Sequence, residues 1–174
     1  MKLRLLNGSH QALGYRGYLC GYRHVHEAAQ DPMFVQFLTD YMECEATPTL
    51  QPVPGVDLAE YRRSVIERFR NPEVRDTLAR LCAETSDRIP KFLLPVVHHQ
   101  LATDGELHRA ALVVAAWARY AEGVDEAGNM IEVVDQRVDA VRDRARRNRL
   151  EPLAFLEDDS LFGGLRDNRA FTTP

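Results

Sequence analysis

Long apolar runs, paired cysteines and alternating strand patterns are all scarce in this sequence, and each scarcity excludes a class of protein. The longest uninterrupted apolar stretch, residues 110–118, is about half of what a bilayer-spanning helix needs. No membrane span is expected. Cys20, Cys44 and Cys82 stand far apart without a Cys-x-x-Cys pair, which argues against a disulfide framework or a zinc site and for buried, inert thiols. Asn7, Gly8, Ser9 and His10 fall where an export signal would keep its apolar stretch, so a cytoplasmic location is the expectation. A formal net charge of -4 gives no global attraction to nucleic acid. No internal repeat or low-complexity tract is present, and no segment alternates apolar and polar residues with β-branched enrichment.

What remains is helix. The 174 residues are 45% apolar, enough for one domain with a sizeable core. Residues 3–22 span several turns, with Gly14, Gly17 and Gly21 on one narrow side and Tyr15, Tyr18 and Tyr22 beside them, a stripe that reads as close approach between packed helices. Asp31 followed by Pro32 is an N-cap with proline at the first helical position, predicting a helix over 32–43. Residues 45–56 hold Pro48, Pro52, Pro54 and Gly55 and predict a long loop. Asp57 with Glu60 resembles an acidic capping box, opening a helix that Asn71 and Pro72 end. Residues 73–82 and 89–101 read as helices, the second kinked at Pro95. Residues 107–121, apolar on nearly every side around Val113, Val114 and Trp117, read as the core helix. A further amphipathic helix is predicted over 129–148, and short turns follow Pro152. The fold class is all-α.

Lys2, Asn7 and His10 lie five and eight residues apart, an arc of roughly 140° on an α-helix. All three can face one cleft. A desolvated lysine can serve as a general base, an amide donor can steady oxygen charge, and an imidazole can orient a hydroxyl. Such a set suits proton removal from an alcohol, although the same residues on one helix also describe a solvated face. Neither His24 with His26 nor His98 with His99 has the i, i+4 spacing of a metal pair, so both read as surface or packing residues. The arginine-rich stretch 137–149 is interrupted by Asp135, Asp139 and Asp143, which are expected to pair with it locally and leave a solvated face.

The run Lys2-Leu-Arg-Leu-Leu-Asn7-Gly-Ser-His10, followed by Ala12-Leu13 and the Gly/Tyr helix, resembles the lysine, asparagine and histidine signature of the polyol-specific long-chain dehydrogenases and reductases, the mannitol dehydrogenase type. The resemblance continues over residues 80–94, where Arg80 is followed eight residues later by Arg88 and then by Pro90, and extends weakly to Leu161-Phe162-Gly163-Gly164-Leu165. It implies a multihelical C-terminal domain of the mannitol dehydrogenase / 6-phosphogluconate dehydrogenase C-terminal-like type, with residues 1–174 as a single substrate-binding domain. It further implies metal-independent oxidation of a polyol, or a hexuronate-type hydroxy acid, by NAD or NADP. Lys2 would be the general base, Asn7 half of an oxyanion-stabilising pair, and His10 a ligand for substrate hydroxyls. Arg80 and Arg88 would hold distal groups. The family commonly has lysine where Arg88 stands, which changes donor geometry there, and Lys91 is a nearby alternative.

The family's nucleotide-binding Rossmann domain has no counterpart, because no Gly-x-Gly-x-x-Gly follows a strand here. The expectation is therefore a substrate-binding half that is incompetent alone, being a piece of a longer protein or completed by a nucleotide-binding partner chain. A homodimer through its uncovered apolar face is a further expectation. The alternative is a non-catalytic interaction or assembly module that keeps the fold.

Overall fold

The computed structural model describes residues 1–52 and 54–173, and among these every regular element is helical, with only two isolated bridges, His24 to Thr77 and Val124 to Met130. The chain opens with a π-helical turn, Leu3–Asn7, that runs without a break into α1 (Gly8–Leu19). α2 (Val25–Gln30) follows, its first turn tied by Glu27, which accepts the backbone N–H groups of Arg23 and His24. Asp31 caps α3 (Pro32–Asp40) by accepting from Met33 at 2.8 Å, with Pro32 at the first helical position as its fixed φ favours. The same helix then widens into a second π-helical segment, Tyr41–Ala46, and a 3-10 turn, Thr47–Thr49, so that part of the expected loop is helical.

Asp57 caps α4 (Leu58–Arg70) by accepting from Ala59 and Glu60, and Asn71 closes that helix and caps the 3-10 turn Pro72–Val74. The helix expected over 73–82 is broken at Arg75, which sits in the left-handed region at φ 51°, and only α5 (Leu78–Cys82), capped by Thr77, is α-helical. The reason is long-range pairing: Val25 donates to the Asp76 carbonyl at 3.0 Å and Leu78 to the Arg23 carbonyl at 2.9 Å. Likewise residues 89–101 are two helices, α6 (Thr85–Phe92) and α7 (Leu94–Thr103), and Pro95 opens the second rather than kinking one.

α8 (His108–Ala121) is the core helix, with Val113, Trp117, Tyr120 and Ala121 almost fully buried. α9 covers only Val138–Arg147, since the Asp135 carboxylate is taken by the Ser86 N–H and hydroxyl and the Val134 carbonyl by the Glu84 N–H. Residues 129–131 instead pair back on residues 123–125, and residues 134–136 are held at the start of α6. The tail adds α10 (Asp159–Phe162), α11 (Arg169–Thr172) and two 3-10 turns.

α1 crosses the middle of the bundle against α5 and α8. Its glycines make this possible: a Cβ on Gly14 would stand 3.3 Å from the Leu81 Cβ, and one on Gly17 would stand 3.2 Å from the Ala28 Cβ. Gly21 is not part of that contact; at φ 95° with nothing within 4 Å, it ends the helix instead. On the next side Tyr15 and Tyr18 meet Tyr120 edge to face, while Trp117 packs on Phe155 and Phe162.

Two further expectations are corrected. The arginines of α9, with Arg137 just before it, pair chiefly with acids elsewhere, Arg144 and Arg137 with Asp158 and Arg147 with Glu151 and Glu157, so α9 clamps the tail rather than bonding to Asp139 and Asp143. Of the cysteines only Cys82 is buried, while Cys20 is exposed. Among the described residues no helix is long and apolar enough to cross a membrane.

Candidate active site

The first turn of the chain is where the spacing argument changes. The Gly8 N–H reaches back to the Leu3 carbonyl, a five-residue step that defines the π turn and stacks residues five apart more nearly one above the other than an α-helix would. Lys2 and Asn7 are such a pair. Lys2 is exposed at the head of the turn, and Asn7 is half-buried, its Oδ1 enclosed without a hydrogen-bond partner. Room for the turn comes from Gly8, whose missing Cβ leaves space for the Tyr41 ring, and the Tyr41 hydroxyl lies 3.4 Å from the Arg4 carbonyl it donates to.

His10 follows one turn later. Its imidazole is stacked on Phe69 of α4, ring centroids 4.8 Å apart and planes inclined by 19°. Together these two form part of a cavity of about 150 Å³ whose wall also includes Leu6, His26, Arg68, Asp76 and Arg80. Burial, reinforced by the positive charge of Arg80, holds the His10 pKa down to about 4, with Asp76 partly opposing and Arg88 and Arg68 adding to the effect. His10 is thus neutral near pH 7 and keeps one nitrogen as donor and one as acceptor.

Arg80 is fixed by Asp76, which receives its Nε at 2.5 Å and its Nη2, a bidentate pair. That hydrogen bonding holds the Asp76 carboxyl below the usual carboxylate range. Arg88 lies behind, donating Nη1 to the Arg80 and Leu81 carbonyls at 2.9 and 3.2 Å, so it caps the end of α5 and acts on the cavity through its charge. Lys91 is elsewhere: exposed on α6, it pairs with Asp87 at 2.6 Å beside a separate depression lined by Pro90, Gln136 and Arg137.

The structure therefore brings His10 and Arg80 to one cavity with Arg88 at its back. Lys2 and Asn7 stand on the same helical run outside the cavity wall, and Lys91 stands apart. Asp76, Phe69, Arg68 and His26 were not singled out for this site from the sequence. The i, i+4 spacing of Asp76 and Arg80 was the one available signal. A larger groove of about 460 Å³ between α3 and α4 holds none of these residues; its floor is Val35, Met42 and Ile66 and its rim includes Arg62 and Glu43. Among the described residues no three His, Cys, Asp or Glu gather as a metal site, and no strand–glycine loop–helix unit is present to cradle a dinucleotide.

The architecture is thus an all-α, multihelical domain with a polar cleft beside its first helix. The family model described as mannitol dehydrogenase C-terminal domain matches residues 1–174, and the chain belongs to that family. It is 43% identical over 171 residues to a mannitol 2-dehydrogenase of Emericella nidulans, covering 98% of this chain and 34% of that protein. It is 43% identical over 173 residues to mannitol dehydrogenase 2 of Saccharomyces cerevisiae, again covering 98% of this chain and 34% of that protein. Among solved structures, Pseudomonas fluorescens mannitol 2-dehydrogenase in ternary complex with NAD and D-mannitol superposes with a TM-score of 0.94 at 42% identity, covering 99% of this chain and 35% of that one. A substrate-free D-sorbitol dehydrogenase follows at 0.80 and 28%, covering 97% and 38%. The chain spans about a third of the length of the curated relatives it matches.

Proposed function

We propose that this chain is the substrate-binding and catalytic-lysine part of a metal-independent, NAD(P)-dependent polyol dehydrogenase acting on mannitol or a similar open-chain polyol. The observation that supports this reading best is that His10 and Arg80, far apart in sequence, line one cavity beside the helical run that starts at Lys2. Lys2, exposed in this chain, becomes the proton acceptor for the hydroxyl when the rest of the enzyme covers and desolvates the head of the turn, while Asn7 donates to the oxygen as it gains charge. Neutral His10 orients the hydroxyls near the reacting carbon, and Arg80, backed by Arg88, holds those further along the chain. Lys91, facing its own depression, takes no part in this arrangement. NAD or NADP, when bound by the part of the enzyme outside this chain, would supply the hydride acceptor. The isolated chain accordingly does not turn over.

The test is NAD-linked and NADP-linked polyol oxidation by the chain alone and by the chain joined behind the nucleotide-binding part of a mannitol 2-dehydrogenase. Activity in the joined form only, falling about a thousandfold with Lys2→Ala, is the expected result. A folded joined form without activity, or a chain active alone to the same extent with and without Lys2, would overturn the reading.

A further inference from the structure

We propose that Asp76 is a positioning residue for substrate recognition, acting through Arg80; the proposal rests on the polyol-binding reading of the His10 cavity. A guanidinium has five N–H donors in one plane. Asp76 takes the Nε edge, binding Nε and one Nη2 hydrogen, and so turns the opposite, Nη1–Nη2 edge outward with three donors unspent on this carboxylate. Two adjacent donors on a rigid planar edge match two hydroxyls on neighbouring carbons. The ligand this edge selects is therefore a vicinal diol of an open-chain polyol, placed with its reacting end toward His10 across the cavity.

The carboxylate is itself held in place from several sides. Its Oδ1 accepts the Thr77 N–H at 2.9 Å, and the backbone carbonyl of Asp76 accepts from Val25 at 3.0 Å. Leu78 bonds back to Arg23 and Thr77 bridges to His24, so the wall carrying Asp76 is tied to the wall carrying His26. Arg75, immediately before it, is a non-glycine residue at φ 51° and ψ 30°, a left-handed conformation that costs stability and persists only where the surroundings impose it. A helix through this segment would have avoided that strain. The chain instead breaks there and presents the Asp76 carboxylate at the cavity wall with Arg80 fixed against it.

A residue acting through another shows itself in a double-mutant cycle and in a split between binding and turnover. In the joined, two-part enzyme, Asp76→Asn raises KM for the polyol about tenfold and lowers kcat by no more than about threefold, and Asp76→Glu recovers most of the KM. Arg80→Ala raises KM further, and Asp76→Ala placed on top of Arg80→Ala adds nothing to it. Far-UV circular dichroism and Tm on each variant confirm that the comparison is between folded proteins, with the isosteric Asp76→Asn serving if Asp76→Ala does not fold. An unchanged KM in Asp76→Asn, or effects of Asp76→Ala and Arg80→Ala that multiply, would overturn the positioning role. An unchanged KM in Arg80→Ala would overturn the reading of the cavity itself, and with it the role of Asp76.

Discussion

The carboxylate of Glu45 caps a helix 65 residues further along the chain, accepting the backbone N–H of Ala110 at 2.8 Å. It also takes that of Arg109 at 2.7 Å, so two of the donors that α8 leaves open at its N-terminus are satisfied from the π-helical segment after α3. Glu45 is fully buried. Burial lifts its pKa above the ordinary carboxylate value, and the hydrogen bonds from Arg109 and Ala110 oppose the rise.

Glu45→Ala leaves two N–H groups without partners and is expected to cost about 3 kcal/mol, a fall in Tm of about 10 °C for a chain of this size. Glu45→Gln, which can still accept one bond, is expected to cost about half as much. Calorimetry of the two variants decides the matter; unchanged melting in Glu45→Ala would mean the cap contributes nothing.

Stability near the cavity depends on pH in a direction that follows from His10. Its pKa of about 4 in the folded chain lies below the ordinary 6.5, so the unfolded chain binds its proton first as the solution is acidified. The resulting stabilisation is whole above pH 6.5 and is lost progressively as pH falls to about 4, on the order of 3 kcal/mol in total. Urea unfolding of the wild type and of His10→Gln across this interval should show a steeper fall for the wild type. Parallel curves would contradict the burial of the imidazole.

Gly17→Ala sets helix propensity against space. Alanine gains about 1 kcal/mol inside a helix, yet its Cβ would meet the Ala28 Cβ at 3.2 Å and the Leu78 Cδ1 at 3.1 Å. Leu78 can rotate, whereas the Ala28 Cβ is fixed to its backbone, so overpacking is expected to win by about 1 kcal/mol. A higher Tm in Gly17→Ala than in the wild type would show that α2 yields instead.

These features differ in how far the sequence announced them. Asp31 with Pro32, Asp57 before α4, and the apolar girth of residues 107–121 act through neighbours in the chain, and each sits where local chemistry puts it. The mistaken stretches are those whose backbone partners lie far off. Residues 129–137 carry helix-compatible apolar spacing, but Glu84 and Ser86 take the polar groups of residues 134–136, and Arg23 and Val25 do the same to residues 76–78. Glu45 was passed over for the same reason, since a cap delivered from 65 residues away leaves no mark beside the helix it serves. At the candidate site, His10 was named from its spacing with Lys2 and Asn7 and then from family likeness, Arg80 from family likeness alone, whereas Phe69 and Asp76 become visible only when α4 and the break at Arg75 are folded against α1.

The π turn at Leu3–Asn7 acts as one extra residue accommodated inside a continuous helix. Deleting a single residue from that turn would let the hydrogen-bond ladder close as ordinary α-helix and leave α1 intact, and because four α-helical residues sweep about 400°, close to what the five-residue π step covers, Lys2 would keep its bearing relative to α1. The turn thus tolerates a change of one residue in chain length without aiming the lysine at another wall. Length and direction are uncoupled in this short stretch.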